Sequence, residues 1–202
     1  MSAPDDLIGH LSGIEPGSPL DLIRNQRPAA RENAQKSFLA LFGSADLAGF
    51  SLGERFAVAA FVAGLHEQPA VFTFYSGELV RAGAPEDIRA ALVSETQRGA
   101  AHGPYGRYPA GPLSVEDKLG PVYQLGEDNR ALLGDRLSAA LEHAHLLVFH
   151  PRDARPEAFE PLLAAGWTTD AIVTLSQLVA FLAFQIRTVA GLRALAAAGL
   201  AA

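Results

Sequence analysis

The chain of 202 residues carries 16 lysines and arginines against 22 aspartates and glutamates, a net charge of −6, and 49% of it is hydrophobic. That length suffices for one domain with a substantial core, or for two small helical subdomains sharing one, and the acidic balance argues against a general nucleic-acid surface. No cysteine is present, which excludes disulfides, thiolate metal sites and a thiol redox cycle by this chain.

The opening residues, MSAPDDLIGH, lack the basic stretch and long apolar run of a signal peptide, so a cytoplasmic location is expected. Ser18-Pro19-Leu20-Asp21 reads as the start of a short helix, with a serine cap, proline at the first helical position and an acid in the first turn. Arg31 to Phe42 reads as a second helix with Phe38, Leu39, Leu41 and Phe42 on its inner side and Gly43 at its end. Residues 1–50 form an N-terminal helical arm, placed to cover the core of its own subunit or of a neighbour.

Ser51 to Leu92 organises the rest of the chain. Ser51-x-x-Glu54 has the spacing of a capping box, in which the serine hydroxyl accepts from an amide of the first turn and the glutamate reaches back to the cap amide. The residues from Phe56 to Ala63 leave no wide polar face, so the helix they form should be buried on most sides. Gln68-Pro69 opens a second helix that runs to about Ala82 and stops at Gly83, a position suited to a left-handed cap. A third begins at Pro85-Glu86-Asp87, with proline read as its first residue.

From Gly99 to Gly126 the composition turns to glycine, proline and tyrosine, with one helical turn starting at Ser114. Loops this long in a compact domain are usually functional or part of an interface. Tyr105, Tyr108 and Tyr123 need something to pack on, and a lid over a pocket or an intersubunit strap both fit. Helical character returns from Glu127 through Phe149. Pro151 and Pro156 bracket a short turn, a helix follows to Ala165 and Gly166, and Thr168 or Thr169 caps a long last helix. Its uncharged run, Ala171 to Ile186, falls short of the roughly 20 apolar residues that span a bilayer, so no membrane is expected. No stretch shows strand alternation.

The two halves echo each other. Leu52-Gly53-Glu54-Arg55 matches Leu133-Gly134-Asp135-Arg136, each opening an alanine-rich helix, and Ala82-Gly83 followed by Ile88 matches Ala165-Gly166 followed by Ile172. Two copies of a helical unit unable to bury its apolar faces alone would pack as one bundle.

Glu54-Arg55, the alanine-rich helix, the second helix ending at Gly83 and the start Glu86-Asp87-Ile88 resemble the carboxymuconolactone decarboxylase and alkylhydroperoxidase-D-like superfamily. Ala165 to Leu192, ending in Gln185-x-Arg187, is similar to that superfamily's closing helix, and Gly103-Pro104-Tyr105-Gly106 with Gly111-Pro112-Leu113-Ser114 looks like its peroxidase-related branch. The resemblance implies an all-α bundle over residues 51–202, the long loop 99–126 included, assembled as a homo-oligomer. It also implies where the chemistry would sit. The hydroperoxidase branch uses a buried glutamate, a Cys-x-x-Cys and a histidine, and these positions are occupied here by Phe56, Gln68, Val71 and Tyr75. The decarboxylase branch's Glu-x-x-x-His falls on Val71 and Tyr75. Neither glutamine nor valine replaces a thiolate nucleophile, so both sites are erased.

Among the remaining candidates, Tyr75 is a weak acid or hydrogen-bond donor at the old pocket, with an ordinary pKa of about 10 that makes it a poor base. His66 stands at the mouth of the hairpin and His102 in the long loop, where it would be a mobile acid or base if the loop is a lid. Glu54 serves as a cap. Glu142-x-x-His145 has a spacing that can present two metal ligands, but such sites need pairs on several facing helices, and His143 and His145 point in different directions, so no metal site is expected. The expected function is small-molecule binding, or support of a cysteine-bearing relative, without thiol peroxidase chemistry and without a cofactor. The alternative is an enzyme with a relocated acid-base site built from Tyr75, His66 and His102, acting on a lactone or small organic acid.

Overall fold

A computed structural model describes residues 4–199 of the chain. The architecture is all-α: nine helices among the described residues, with a single two-stranded hairpin between the third and fourth.

The arm holds three helices, α1 (Leu7–Ser12), α2 (Pro19–Asn25) and α3 (Pro28–Phe42). The first went unread in the sequence, although its signals are present: the Asp6 carboxylate accepts from the Gly9 amide at 3.0 Å and Gly13 ends the helix at φ +69°. Ser18 caps α2 as expected. In α3 the helix begins at Pro28, a turn before Arg31. Ala34, Phe38, Leu41 and Phe42 form its inner stripe, whereas Leu39 is 46% exposed, because it lies one residue off that stripe and so points outward. Asp6 pairs with Arg24 and with Arg31, and Arg31 also reaches Asp21, so the three short helices are pinned by charge as well as by packing.

The hairpin joins β1 (Asp46–Leu47) to β2 (Phe50–Ser51) through Ala48 and Gly49, both at positive φ as tight two-residue turns require. It corrects the expectation of no strand. It also delivers Ser51 to the start of α4 (Leu52–Leu65), where the capping box forms as read: Ser51 Oγ accepts from the Glu54 amide at 3.3 Å and Glu54 Oε2 from the Ser51 amide at 2.9 Å. Residues from Phe56 to Ala63 are buried without a break, which makes α4 the central rod of the bundle. Arg55 beside them is fully buried and spends its guanidinium on the backbone carbonyls of Leu41, Ser44, Ala45 and Ser51, tying the end of α3 to the start of α4.

Helix α5 (Pro69–Arg81) ends at Gly83, φ +87°, and α6 (Glu86–Arg98) follows with Pro85 as its cap rather than its first residue. Helix α7 (Glu127–Phe149) is broken at Gly134, whose φ of 76° and ψ of 158° are not helical, so its alanine-rich part starts afresh at Asp135. After two short 3₁₀ turns, α8 (Glu160–Ala164) leads through Gly166 to α9 (Thr169–Ala197), which Thr168 caps.

Helix α4 packs against α5, α6, α7 and α9; α6 and α9 both lie on α7, and α1 and α3 lie on α9. The arm thus covers the core of its own chain. Phe42 of α3 stacks on Phe56 with centroids 5.1 Å apart and meets Tyr75 at 5.4 Å. Helix α9 is long and apolar enough to cross a membrane by length and composition, which the shorter uncharged run did not suggest. Half of its most apolar stretch is buried inside the fold.

Residues 99–126 run over their own α6 and α7. The Tyr105 amide donates to the Phe149 carbonyl at 2.6 Å and the Tyr123 hydroxyl to Glu95 Oε2 at 2.6 Å. Glu95 is fully buried yet satisfied, since it also accepts from Asn129, the Gly126 amide and Arg98. The helical turn expected at Ser114 is a 3₁₀ turn, Pro112–Glu116.

Candidate functional site

A pocket of about 670 Å³ opens where the C-terminal end of α4, the start of the long loop, the end of α7 and the middle of α9 meet. His66 and His102, singled out from the sequence, both line it, together with Glu67, Ser176 and Arg187. The volume falls within the range of small-ligand sites, about 300–1,000 Å³. Leu65, Leu147, Val179 and Ala183 supply apolar wall.

His66 sits at the C-cap of α4 because the helix must stop there: Glu67 takes a left-handed φ of 53° and Gln68-Pro69 begins α5. Its Nε2 is sealed from solvent without a hydrogen-bond partner. Burial, reinforced by the positive charge of Arg187, holds the imidazole below the usual histidine range, so it is neutral at pH 7. His102 is exposed at the rim, its backbone amide donating to the Tyr105 hydroxyl at 3.2 Å. Arg187 forms no ion pair among the described residues.

Arg187 and Ser176 had no site role in the sequence reading. The signal was a spacing: Ser176, Val179, Ala183 and Arg187 recur at helical intervals and form one face of α9. Together these groups place a neutral imidazole, a guanidinium and apolar wall around one space, with the Ser176 hydroxyl donating to the Ile172 carbonyl at 2.9 Å and so left to accept, a set that can orient an organic molecule with a polar head.

Tyr75 is elsewhere. It is completely buried between Phe42 and Phe74, and its hydroxyl donates to Gln185 Oε1 at 2.6 Å. Burial pushes its pKa far up, so the phenol keeps its proton and its place as a packing group. Phe56 and Val71 are likewise buried in the core, and Gln68 stands half-buried as the residue before α5 with no side-chain capping bond. Glu54 is engaged twice, in its cap and with Arg136 Nε at 2.7 Å. Of the positions to which the resemblance assigns chemistry, Phe56 and Tyr75 therefore form a packed aromatic cluster with Phe42, Val71 is buried in the core and Gln68 stands half-buried before α5, while His66 and His102 line the separate pocket.

A second cavity, about 240 Å³, lies between α7, α8 and residues 122–124, with His143, His145, His150 and Glu142 on its walls. Most of these groups have partners. His145 Nε2 meets the Gly99 carbonyl at 2.9 Å and its ring stacks on Tyr123; His150 bridges Asp153 and the Pro121 carbonyl; Glu142 accepts from the Leu125 amide and from Arg130. Burial pushes His145 down to about 4. His143 has neither ring nitrogen partnered, and burial holds it too below the ordinary range.

No family model, curated protein or solved structure matches this chain.

Proposed function

We propose that this chain is a thiol-free member of the carboxymuconolactone decarboxylase and alkylhydroperoxidase-D-like superfamily that binds a small molecule in the pocket of His66, His102 and Arg187. The fold assignment is supported by the way its helices pair. Helix α4 packs on α6 as α7 packs on α9, and each of these third helices also leans on the opposite half's first, α6 on α7 and α9 on α4, the pattern expected of two copies of one unit exchanging contacts about a shared centre. Exposed Val173 and Phe184 on α9 support a homo-oligomer built through that helix, in the cytoplasm, with a cysteine-bearing relative as a further candidate partner.

One observation carries the functional reading: the pocket gathers two histidines and an unpaired arginine, while Phe42 fills the space against Phe56 and Tyr75 with packed rings. A thiol peroxidase activity has no place here, and none is expected under any reducing system. Native mass spectrometry of the purified protein, followed by the denatured chain, tests the reading: a small molecule lost on denaturation supports it, and an oligomer at its bare mass favours the partner role instead.

The second reading, an acid-base enzyme, is favoured by the neutral His66 beside the rim residue His102. It acts on a lactone or small organic acid, with His66 as base and without Tyr75. Loss of turnover of such a substrate in His66→Gln, with Tyr75→Phe retaining it, is the expected pattern.

A further inference from the structure

We infer that the His66–Arg187 pocket takes a small organic monocarboxylate, its anionic end held by the Arg187 guanidinium and its apolar body lying along Leu147, Val179 and Ala183. The inference rests on the pocket being a binding site, and specifies what it binds.

The charge pattern is the first ground. Arg24, Arg31, Arg81, Arg98, Arg130 and Arg136 all pair with carboxylates of this chain. Arg187 does not, nor do Arg27, Arg107, Arg152, Arg155 and Arg193 among the described residues; what sets Arg187 apart is its place, since it lines this pocket, with Glu67 on the same walls but not paired to it. A guanidinium presents a planar fork that matches a carboxylate with two parallel hydrogen bonds. Leaving such a fork open beside apolar wall suits an anion arriving from outside.

The second ground is the state of His66. Because its Nε2 is sealed away, Nδ1 is the ring nitrogen left to the pocket, and the neutral ring contributes one hydrogen bond rather than a second positive charge. A single cation favours a monoanion over a dianion. The third ground is the wall. Inorganic phosphate would gain nothing from Leu147, Val179 and Ala183, whereas a ring or branched chain removes their surface from water at about 25 cal/mol per Å².

Isothermal titration of the full chain with benzoate, benzamide and inorganic phosphate separates these claims. Benzoate is expected to bind, benzamide about tenfold or more weakly, and phosphate not at all at millimolar concentration. Arg187→Gln should bring benzoate down to the level of benzamide while leaving the urea midpoint unchanged, since Arg187 is exposed and makes no bond to the fold, and Arg187→Lys should restore part of the difference. Equal binding of benzoate and benzamide, or benzoate binding that survives Arg187→Gln, overturns the carboxylate assignment but leaves the pocket a binding site. Failure of wild type to bind benzoate also overturns it. If native mass spectrometry then shows a bare chain, the small-molecule reading falls with it.

Discussion

Glu54 Oε2 closes the cap of α4 on the Ser51 amide while Oε1 of the same carboxylate accepts from Arg136 Nε at 2.7 Å, across 82 positions of sequence. Both residues come from the echoing segments that open the alanine-rich helices of the two halves. Arg136 further donates to the carbonyls of Gly166 and Gly49 and lies over the Trp167 ring at 4.2 Å. Arg136→Ala removes all of these at once and should cost about 2–4 kcal/mol, read from the urea midpoint. Glu54→Gln keeps part of the cap and should cost about half as much. If Arg136→Ala leaves the midpoint within error of wild type, the clasp is decorative.

Tyr75→Phe deletes the hydroxyl that satisfies Gln185 Oε1. Gln185 is fully buried and its Nε2 already lacks a partner, so the variant strands the whole amide and should lose about 1–3 kcal/mol. Adding Gln185→Leu should recover much of that loss, because an apolar pair needs no partner, and a double-mutant cycle in thermal unfolding measures the coupling. Ligand binding at the His66 pocket should be unaffected by Tyr75→Phe.

Acid should weaken the fold before its carboxylates titrate. His66, His143 and His145 are held below the ordinary histidine value of 6.5 in the folded protein, His145 down to about 4. Below 6.5 the unfolded chain binds more protons at these positions than the native one, so the stability they contribute is complete above about pH 6.5 and falls as pH drops toward each folded value, for His145 about 4. Glu95, where burial opposes but hydrogen bonds from Asn129, Tyr123 and Arg98 prevail to hold the carboxyl below its ordinary 4.5, adds its own loss only as pH falls below that value. Urea midpoints measured from pH 7 to 4.5 should decline. His143→Leu, which removes an imidazole with no hydrogen bond to lose and keeps an apolar group against the Phe159 ring, should flatten the slope and raise stability at pH 5.

Gly64 sets the distance between α4 and α6. A methyl group placed there would run into Thr96 Cγ2, so Gly64→Ala should cost about 1–3 kcal/mol through overpacking despite alanine's better helix propensity. Thr96→Ser removes the opposing methyl and should rescue it. A Gly64→Ala variant as stable as wild type would show that the two helices separate freely.

Local signals were the legible part of this chain. The Ser51 and Thr168 caps and the stops at Gly83 and Gly166 could be read because each is settled within a few residues. Asp6 and Gly13 bound α1 in the same way, but the helix is too short to show periodicity. The hairpin turn could not be read, since Ala48 adopts a left-handed conformation that alanine rarely takes. At the site, the sequence grouped His66 and His102 with Tyr75 around one pocket; the two histidines line a common cavity, whereas Tyr75 does not. Its true neighbours, Phe42 and Gln185, come from α3 and α9, and no spacing within residues 51–92 announces them. Arg187 was missed for the same reason: its meaning comes from the end of α4, far away in sequence.

Phe42 and the α1–α9 contact also bear on how the molecule reaches this state. In the folded chain Phe42 covers the rings of Phe56 and Tyr75, and its helix α3 packs on α9, from which it is separated by most of the described chain. Closing so large a loop costs chain entropy before the contact rewards it, a topology expected to slow folding. Without α3 the apolar rod of α4 would be partly uncovered and prone to association with other chains. The arm before residue 50 therefore acts as a cover for the helices that follow it, and a fragment beginning at Ser51 is expected to be sticky and loosely packed.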